Sequence, residues 1–449
     1  MKQTFSYCQK LRELFIVMAP IFVSQLAVSS TGFFNTVMAG HVSEQDLAGV
    51  ATGANLFFMF FIAIMGVISG LTPTISQLYG AGKREKIPHI VKQAFYWSIA
   101  ISAIFIAMDW LIVPFLPDFL SLEPKVGYVM THYLIAISCG VVQVFLAAVL
   151  RNLIDAHGLT RLTMCITLIT VPINIFFNYL FMYGALDFPR LGGIGAGVGA
   201  AITWTLSLII NAFVVTHIDE TKHYHVFENF PRPDFSEWKK QLSLGIPIGA
   251  TMFCETSIFG VVGLLMTAYG TTIMAAHQAA FNYASVVYII PLSVSMGLTI
   301  IVGYEIGARR PEDAWQYSKI GRVLSIAFAA LVGIVLTMNR DAITAIYTDS
   351  ETVKDYLMVF LVYATCVQGA DCINAPLQGT LRGAKDVHVT FLLAVLSDWI
   401  IGLPAGLALA HLTSFAQYGY WVGLIVGLLV GALFLMLRLR IVERKFKEM

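Results

Sequence analysis

Charge is what this 449-residue chain has least of: Asp, Glu, Lys and Arg make up only 12% of it, while 57% is hydrophobic. An ordinary soluble domain carries about 25% charged residues, so a water-soluble globule is excluded. Lys plus Arg number 28 and Asp plus Glu 27, a net charge of +1, which leaves no basic field for a nucleic acid to follow. The six cysteines (Cys8, Cys139, Cys165, Cys254, Cys366, Cys372) form no CxxC pair. Neither a disulfide framework nor a thiolate metal site is suggested, and cysteines within apolar runs read as small core hydrophobes. No HExxH, no GxSxG with partners and no paired aspartates of a protease pattern occur, which disfavours an intramembrane enzyme. No Gly-rich loop ending in Lys-Ser or Lys-Thr is present, which disfavours a hydrolytic pump.

What the chain has in plenty is apolar runs of about 20 residues, the length that spans a bilayer. Read between polar breaks, they place helices near 14–39, 46–79, 90–113, 126–150, 161–183 and 194–216. A second set follows near 241–267, 273–305, 317–338, 352–380, 388–411 and 418–438. The first run is too long for the h-region of a signal peptide and reads as a retained span. Twelve spans put both termini on one side, and with alternate loops assigned, that side collects 24 of the 28 Lys and Arg. The other side receives only Lys125, Arg190, Arg340 and Lys354, so the positive-inside rule makes the termini cytoplasmic.

Shifting the chain against itself by 227 residues aligns Gly70-Leu71-Thr72 with Gly297-Leu298-Thr299, and Gly80-Ala81 with Gly307-Ala308. The same shift pairs Pro20 with Pro247, Ala48 with Ala275, Glu85 with Glu312 and Leu150 with Leu377. One gapless register over six helices marks a duplication. The expected fold is all-α: a polytopic membrane protein of twelve transmembrane helices in two pseudo-symmetric six-helix bundles. Residues 1–217 form the first lobe, 218–240 a cytoplasmic linker and 241–449 the second lobe. Parallel repeats of this kind place substrate between the lobes. His223 and His225 in the linker have no acid or Cys partner nearby in sequence and read as solvated linker, not as a metal pair. Pro20, Pro73, Pro172, Pro247, Pro291, Pro376 and Pro404 interrupt spans; the Pro20 and Pro247 pair suggests an equivalent hinge in each lobe.

Two acids lie deep in spans of the second lobe, Glu255 and Asp371, and Asp398 is a third candidate. Burying a carboxylate costs at least about 2.5 to 3.5 kcal/mol by insertion scales, so such acids should face a cavity and bind an ion or proton. The plainer alternative is a protonated, hydrogen-bonded structural acid, or for Asp398 a pair with a neighbouring helix. In the first lobe Asn35, Asn174 and Asn178 offer a polar pocket, the last two on one helical face; the alternative is interhelical bonding alone. Gln278, Asn282 and Ser285 share a face of the eighth span and are candidates for the substrate cavity or for orienting Glu255. His277 beside them reads as a satisfied polar group. Some of the 17 Met and 31 Phe would give a cavity soft, adaptable walls.

Several stretches resemble the multidrug and toxic compound extrusion (MATE) family in its NorM-type branch. They are Asn35-Thr36-Val37-Met38-Ala39-Gly40, Leu71-Thr72-Pro73 with Gly80, Pro172 to Asn178, Glu255 in its helix, Ala276-His277-Gln278, and Leu381-Arg382-Gly383 with Lys385-Asp386. The likeness spans nearly the whole chain. It implies a bacterial-type inner (cytoplasmic) membrane protein and no enzyme. It further implies export of small cationic or amphipathic drugs in exchange for H⁺ or Na⁺ by alternating access. Glu255 and Asp371 match the second-lobe cation site, with any Na⁺ held there and no other metal or cofactor implied; Asn174 and Asn178 match the first-lobe polar network. Asn35 stands where the branch carries aspartate, and Val367 where relatives often carry tyrosine. An amide at 35 is nearly isosteric with a protonated carboxyl, so the chain would mimic the protonated state there. A flippase for lipid-linked saccharide precursors, from the same superfamily, ranks second, because it would need a strongly basic cavity and the Lys and Arg fall in loops. Partners are then the drug, the coupling cation and the bilayer, with a monomer as the default and no nucleic acid.

Overall fold

The computed structural model describes residues 5–448; Lys2, one of the basic residues near the start, lies outside them. Among the described residues eleven helices are long and apolar enough to cross a membrane, and a bent pair makes a twelfth if it is one span. In chain order these are α1 (Tyr7–Gly40), α2 (Glu44–Gly80), α3 (Arg84–Phe119), α4 (Pro124–Ser138 with Val141–Ala156), α5 (Thr160–Tyr183) and α6 (Ile194–His217). Then come α7 (Phe235–Tyr269), α8 (Thr271–Gly307), α9 (Pro311–Met338), α10 (Glu351–Gly383), α11 (Val387–Leu412) and α12 (Tyr418–Glu448). The bend of 47° in α4 falls at Cys139-Gly140, where a Cβ on Gly140 would strike Ala201 and Trp204 of α6. Close backbone approach there requires glycine.

The prolines act in two ways. Pro20, Pro172, Pro247, Pro291 and Pro376 lie inside helices. Pro73 and Pro404 instead fall just past a change in helical geometry, in segments that start at Leu71 and Leu403. The stretch before Pro404 is a π-helix, Leu396–Gly402, and it contains Asp398.

The chain packs as two compact units, Val23–Gly249 (the N unit) and Met1–Phe22 with Ala250–Met449 (the C unit). Each cut falls inside a helix, two residues beyond Pro20 in α1 and two beyond Pro247 in α7. The cuts are 227 residues apart, the register of the repeat. Loop polarity divides the chain at 217 and 241, whereas packing divides it at these two helix interiors. Repeated contacts hold the two frames: Thr72 Oγ1 donates to Asn152 Oδ1 at 3.0 Å in the N unit, and Thr299 Oγ1 to the Gly379 carbonyl at 3.1 Å in the C unit.

Two expectations are corrected. Of the cysteines only Cys372 is buried; Cys254 is half-buried and the other four are exposed on helix surfaces. A helix in lipid has apolar solvent on its outer face, so an apolar residue there need not point inward. The segment after α6 is also no solvated tether. Tyr96 Oη donates to the Pro231 carbonyl at 3.0 Å and Gln93 Nε2 to the Arg232 carbonyl at 2.9 Å. Gln93 Oε1 accepts from Asp234 N and Trp238 Nε1, both at 2.8 Å, and Trp97 Nε1 donates to Gln241 Oε1 at 2.8 Å. Irregular backbone has carbonyls to satisfy, and the polar and aromatic stripe of α3 satisfies them. His223 and His225 stay exposed, His225 Nδ1 lying 3.0 Å from Glu228 Oε1, and no three His, Cys, Asp or Glu among the described residues could hold a metal ion.

His157, just past α4, sits beneath this strap. Its Nδ1 lies 2.8 Å from the Leu153 carbonyl and its Nε2 2.8 Å from Tyr224 Oη. Burial pushes Tyr224 up to about 12 and holds His157 down at about 4, from an ordinary 6.5. The phenol therefore donates and the neutral imidazole accepts. When the strap lifts, His157 regains its ordinary proton affinity, so docking is at full strength above about pH 6.5 and weakens as pH falls towards 4, by about 3 kcal/mol in all. Hydrogen exchange of the strap amides, corrected for intrinsic rates, is expected to show more opening at pH 4.5 than at pH 7. The difference should vanish in His157→Gln; equal opening at both pH values in the unmodified protein refutes the pairing.

Candidate functional site

Two charged groups of the C unit meet on one amide. Gln378 of α10 donates Nε2 to Glu255 Oε1 of α7 at 2.6 Å, and its Oε1 accepts from Arg382 Nη2 at 3.0 Å. Residues 371, 378 and 382 follow i, i+7, i+11 spacing and share one face of α10. A guanidinium, an amide and a carboxylate in that order polarise one another, and each hydrogen bond is charge-assisted. Arg382 is only 8% exposed. This corrects the placement of every Lys and Arg in loops: α10 runs on to Gly383, one turn further than its hydropathy suggests.

Asp371 and Asp398 complete the cluster at 8% and 6% exposure. Asp371 Oδ2 accepts from Gln368 Nε2 at 3.5 Å, and Asp398 Oδ1 from Ser397 Oγ at 3.3 Å. Glu255 acts electrostatically on both, and Tyr288 of α8 lies in the field of Glu255, Asp371 and Arg382. The π-helix positions α11: its Trp399 Nε1 donates to the Cys254 carbonyl at 3.1 Å, next to Glu255. Such insertions widen a helix by one residue per turn and are frequent at functional sites. Behind Asp398, α11 meets α12 through glycines, and a Cβ on Gly423 would overlap the backbone of Gly406. Small residues let helices in lipid approach this closely.

Other second-half candidates fall elsewhere. Gln278, Asn282 and Ser285 form an exposed strip on α8. Asn282 Oδ1 accepts from Tyr347 Oη at 3.1 Å, and Ser285 Oγ donates to the Phe281 carbonyl at 2.9 Å. The residue that orients Glu255 is Gln378, not Gln278 or Asn282. His277 is buried, its Nδ1 accepting from Trp421 Nε1 at 3.2 Å, a satisfied polar group. Val367 is fully buried in an apolar cluster.

In the N unit the three asparagines meet. Asn178 Nδ2 donates to Asn35 Oδ1 at 2.6 Å and to Asn174 Oδ1 at 3.1 Å, and Asn174 Nδ2 lies 3.4 Å from Thr203 Oγ1 of α6. Asn174 and Asn178 are buried and Asn35 half-buried. Thr203 went unnoticed in the sequence because a hydroxyl on a span can bond to its own helix, as it does here to the Gly199 carbonyl at 2.7 Å.

Two packed helical units related by one register, each with a polar cluster inside apolar spans, define a membrane transporter built by duplication. The chain belongs to the MatE family, of the NorM type: the family model matches residues 20–180 and again 247–407, each end displaced by 227. It is 43% identical over 448 residues to a probable multidrug resistance protein NorM of Halalkalibacterium halodurans, covering 100% of this chain and 98% of that one. It is 44% identical over 436 residues to a protein of the same name from Geobacillus kaustophilus, covering 97% and 96%. Among solved structures, an outward-facing multidrug resistance MATE family transporter of the MOP superfamily aligns over 100% of both chains with TM-score 0.89 at 14% identity. The eukaryotic MATE transporter AtDTX14 aligns over 98% of this chain and 99% of its own with TM-score 0.88 at 17% identity. These last two likenesses concern the fold.

A Cβ on Gly199 would collide with Asn178 Oδ1, whereas one on Gly32 of α1 meets nothing within 4 Å. Gly199→Ala is therefore expected to destabilise the protein by about 1 to 3 kcal/mol, read as a lowered thermal unfolding midpoint, and Gly32→Ala to leave that midpoint in place. Equal midpoints for the two variants contradict the packing described.

Proposed function

We propose that this protein is a cation-coupled multidrug efflux antiporter that exports small cationic or amphipathic compounds by alternating access. The observation that carries the reading is the composition of the C-unit cluster: three buried or half-buried carboxyls, Glu255, Asp371 and Asp398, act on one another electrostatically, and the one guanidinium bonded into the cluster, Arg382, acts on Glu255. Fully ionised, the group would hold two uncompensated negative charges. Hydrocarbon surroundings do not tolerate that, so the cluster takes up protons or Na⁺. Gln378 keeps Arg382 one amide away from Glu255, which leaves the carboxylate free to exchange its cation. The relatives' names, which speak of multidrug resistance, supply the substrate class.

In this reading a cation arriving from outside occupies Glu255 and Asp371 and biases the lobes away from the drug-binding arrangement. Drug leaves outward, the cation leaves to the cytoplasm, and a new drug molecule biases the return. Differential affinity of the two states for the cation and for the drug is the only source of the bias. Pro20 and Pro247 lie inside α1 and α7, beside the points where these helices pass from one unit to the other, and a proline that frees a backbone carbonyl permits the bending such a movement needs. The N-unit asparagines form a polar but non-titrating counterpart. Both termini are cytoplasmic in a bacterial inner membrane, the protein works as a monomer, and no cofactor takes part. A lipid-linked saccharide flippase is disfavoured because acids outnumber the one cation of the cluster.

The test is efflux of a fluorescent cationic dye from vesicles under an imposed pH or Na⁺ gradient. Glu255→Gln together with Asp371→Asn is expected to abolish ion-driven efflux, and intact efflux in that variant refutes the assignment. Asn35→Asp restores a titrating group where Asn178 already donates a hydrogen bond and should raise pH-driven efflux and drug resistance. An unchanged phenotype ends the idea that Asn35 mimics a protonated acid.

A further inference from the structure

Between α9 and α10 of the C unit lies a groove of about 480 Å³ that ends at Arg340, the first residue of a short helix, Arg340–Tyr347. Gly333, Ile334 and Met338 form one wall, and Val362 and Cys366 the other. Ile334, Met338 and Val362 are 56%, 78% and 40% exposed, so the groove opens sideways, away from the packed interior. Its two hydroxyls are turned inward: Thr337 Oγ1 donates to the Gly333 carbonyl at 2.7 Å and Thr365 Oγ1 to the Leu361 carbonyl at 2.9 Å. Both hydroxyls are thereby satisfied within their own helices. Depth comes from Gly333, where an added Cβ would meet only Thr365 Cγ2, at 3.7 Å.

One strong polar group remains. Arg340 Nε is buried with no hydrogen-bond partner, and no carboxylate lies within ion-pair distance of this side chain among the described residues. A charged donor left at an apolar surface is costly unless an acceptor comes to it. Arg340 is also one of only four basic residues on the side of the membrane opposite the termini, so its position there runs against the general charge bias. From Ala330 at the far end to Arg340 the α9 wall runs about 15 Å at 1.5 Å per residue, half of a hydrocarbon core about 30 Å thick.

We propose that this groove binds an anionic phospholipid of the leaflet opposite the termini, with its phosphate on the Arg340 guanidinium and one acyl chain along α9. A planar guanidinium suits a phosphate, which it grips through two parallel hydrogen bonds. The apolar walls select a ligand with a chain. Neither the carboxyl cluster nor the asparagine network contributes to this site, so it stands apart from the transport reading.

The test uses the full-length protein, purified and supplied with equimolar phosphatidylglycerol and phosphatidylcholine, with retained lipid counted by native mass spectrometry. The unmodified protein is expected to retain phosphatidylglycerol in about tenfold preference, the worth of one charge-assisted contact. Arg340→Gln should lose the preference while still holding lipid. Gly333→Leu and Ala330→Phe, which fill the groove, should each lose bound lipid of both kinds, and a thermal melt confirms that the variant counted is folded. The proposal is overturned if Arg340→Gln keeps the preference, if both groove-filling variants retain lipid as before, or if glycerol phosphate without a chain competes as well as the whole lipid. It is equally overturned if the groove proves to be covered by a second copy of the chain.

Discussion

A charge held in hydrocarbon must be matched within a few ångströms, and in this protein Gln378 does the matching. Its amide stands between Glu255 and Arg382, bonded to each. Much of the C unit follows from keeping those three groups in line. The helix α10 continues past Pro376 to Gly383 and so carries Arg382 inside. The π-helix turns Trp399 onto the carbonyl beside Glu255, and the glycine contact of α11 with α12 gives Asp398 a closely packed back. Removing one partner of such a set leaves an uncompensated buried charge, which costs more than the intact arrangement gains.

Duplication supplied the frame and divergence supplied the chemistry. The bonds of Thr72 and Thr299 to positions 152 and 379 repeat across the 227-residue shift. The functional candidates do not repeat: Glu255 corresponds to Val28, Asp371 to Val144, Asp398 to Val171, Asn35 to Val262 and Asn178 to Ala405. At these positions each unit is polar where the other is apolar, so the carboxyl cluster lies in one unit and the asparagine network in the other. Asp155 and Arg382, both buried, are equivalents of opposite sign. Asp155 is held by Thr163 Oγ1 at 2.7 Å and faces Arg151, the residue equivalent to Gln378.

The spans and the register were legible because bilayer thickness and a gapless repeat leave strong marks on a sequence. Glu255, Asp371 and the asparagines were legible because polar groups in apolar runs are conspicuous. Arg382 was not, since hydropathy ends a helix where charge begins while the backbone continues a further turn. Gln378 was hidden for a different reason: its partner is 123 residues away, and only the packing of α7 on α10 reveals which glutamine serves Glu255. The strap after α6 looked like linker because its composition is polar, yet its carbonyls are bound by α3, a pairing that lies in three dimensions alone.

The central claim is that the cation held by the carboxyl cluster and the drug favour opposite arrangements, so that binding of one drives off the other. The most direct measurement is the release of ions when a cationic drug is added to purified protein, followed in weak buffer for protons and with isotope for Na⁺. Drug binding should displace cation from the unmodified protein and displace none from the variant lacking both Glu255 and Asp371 carboxylates. Tight drug binding with no ion released from the unmodified protein would contradict the account.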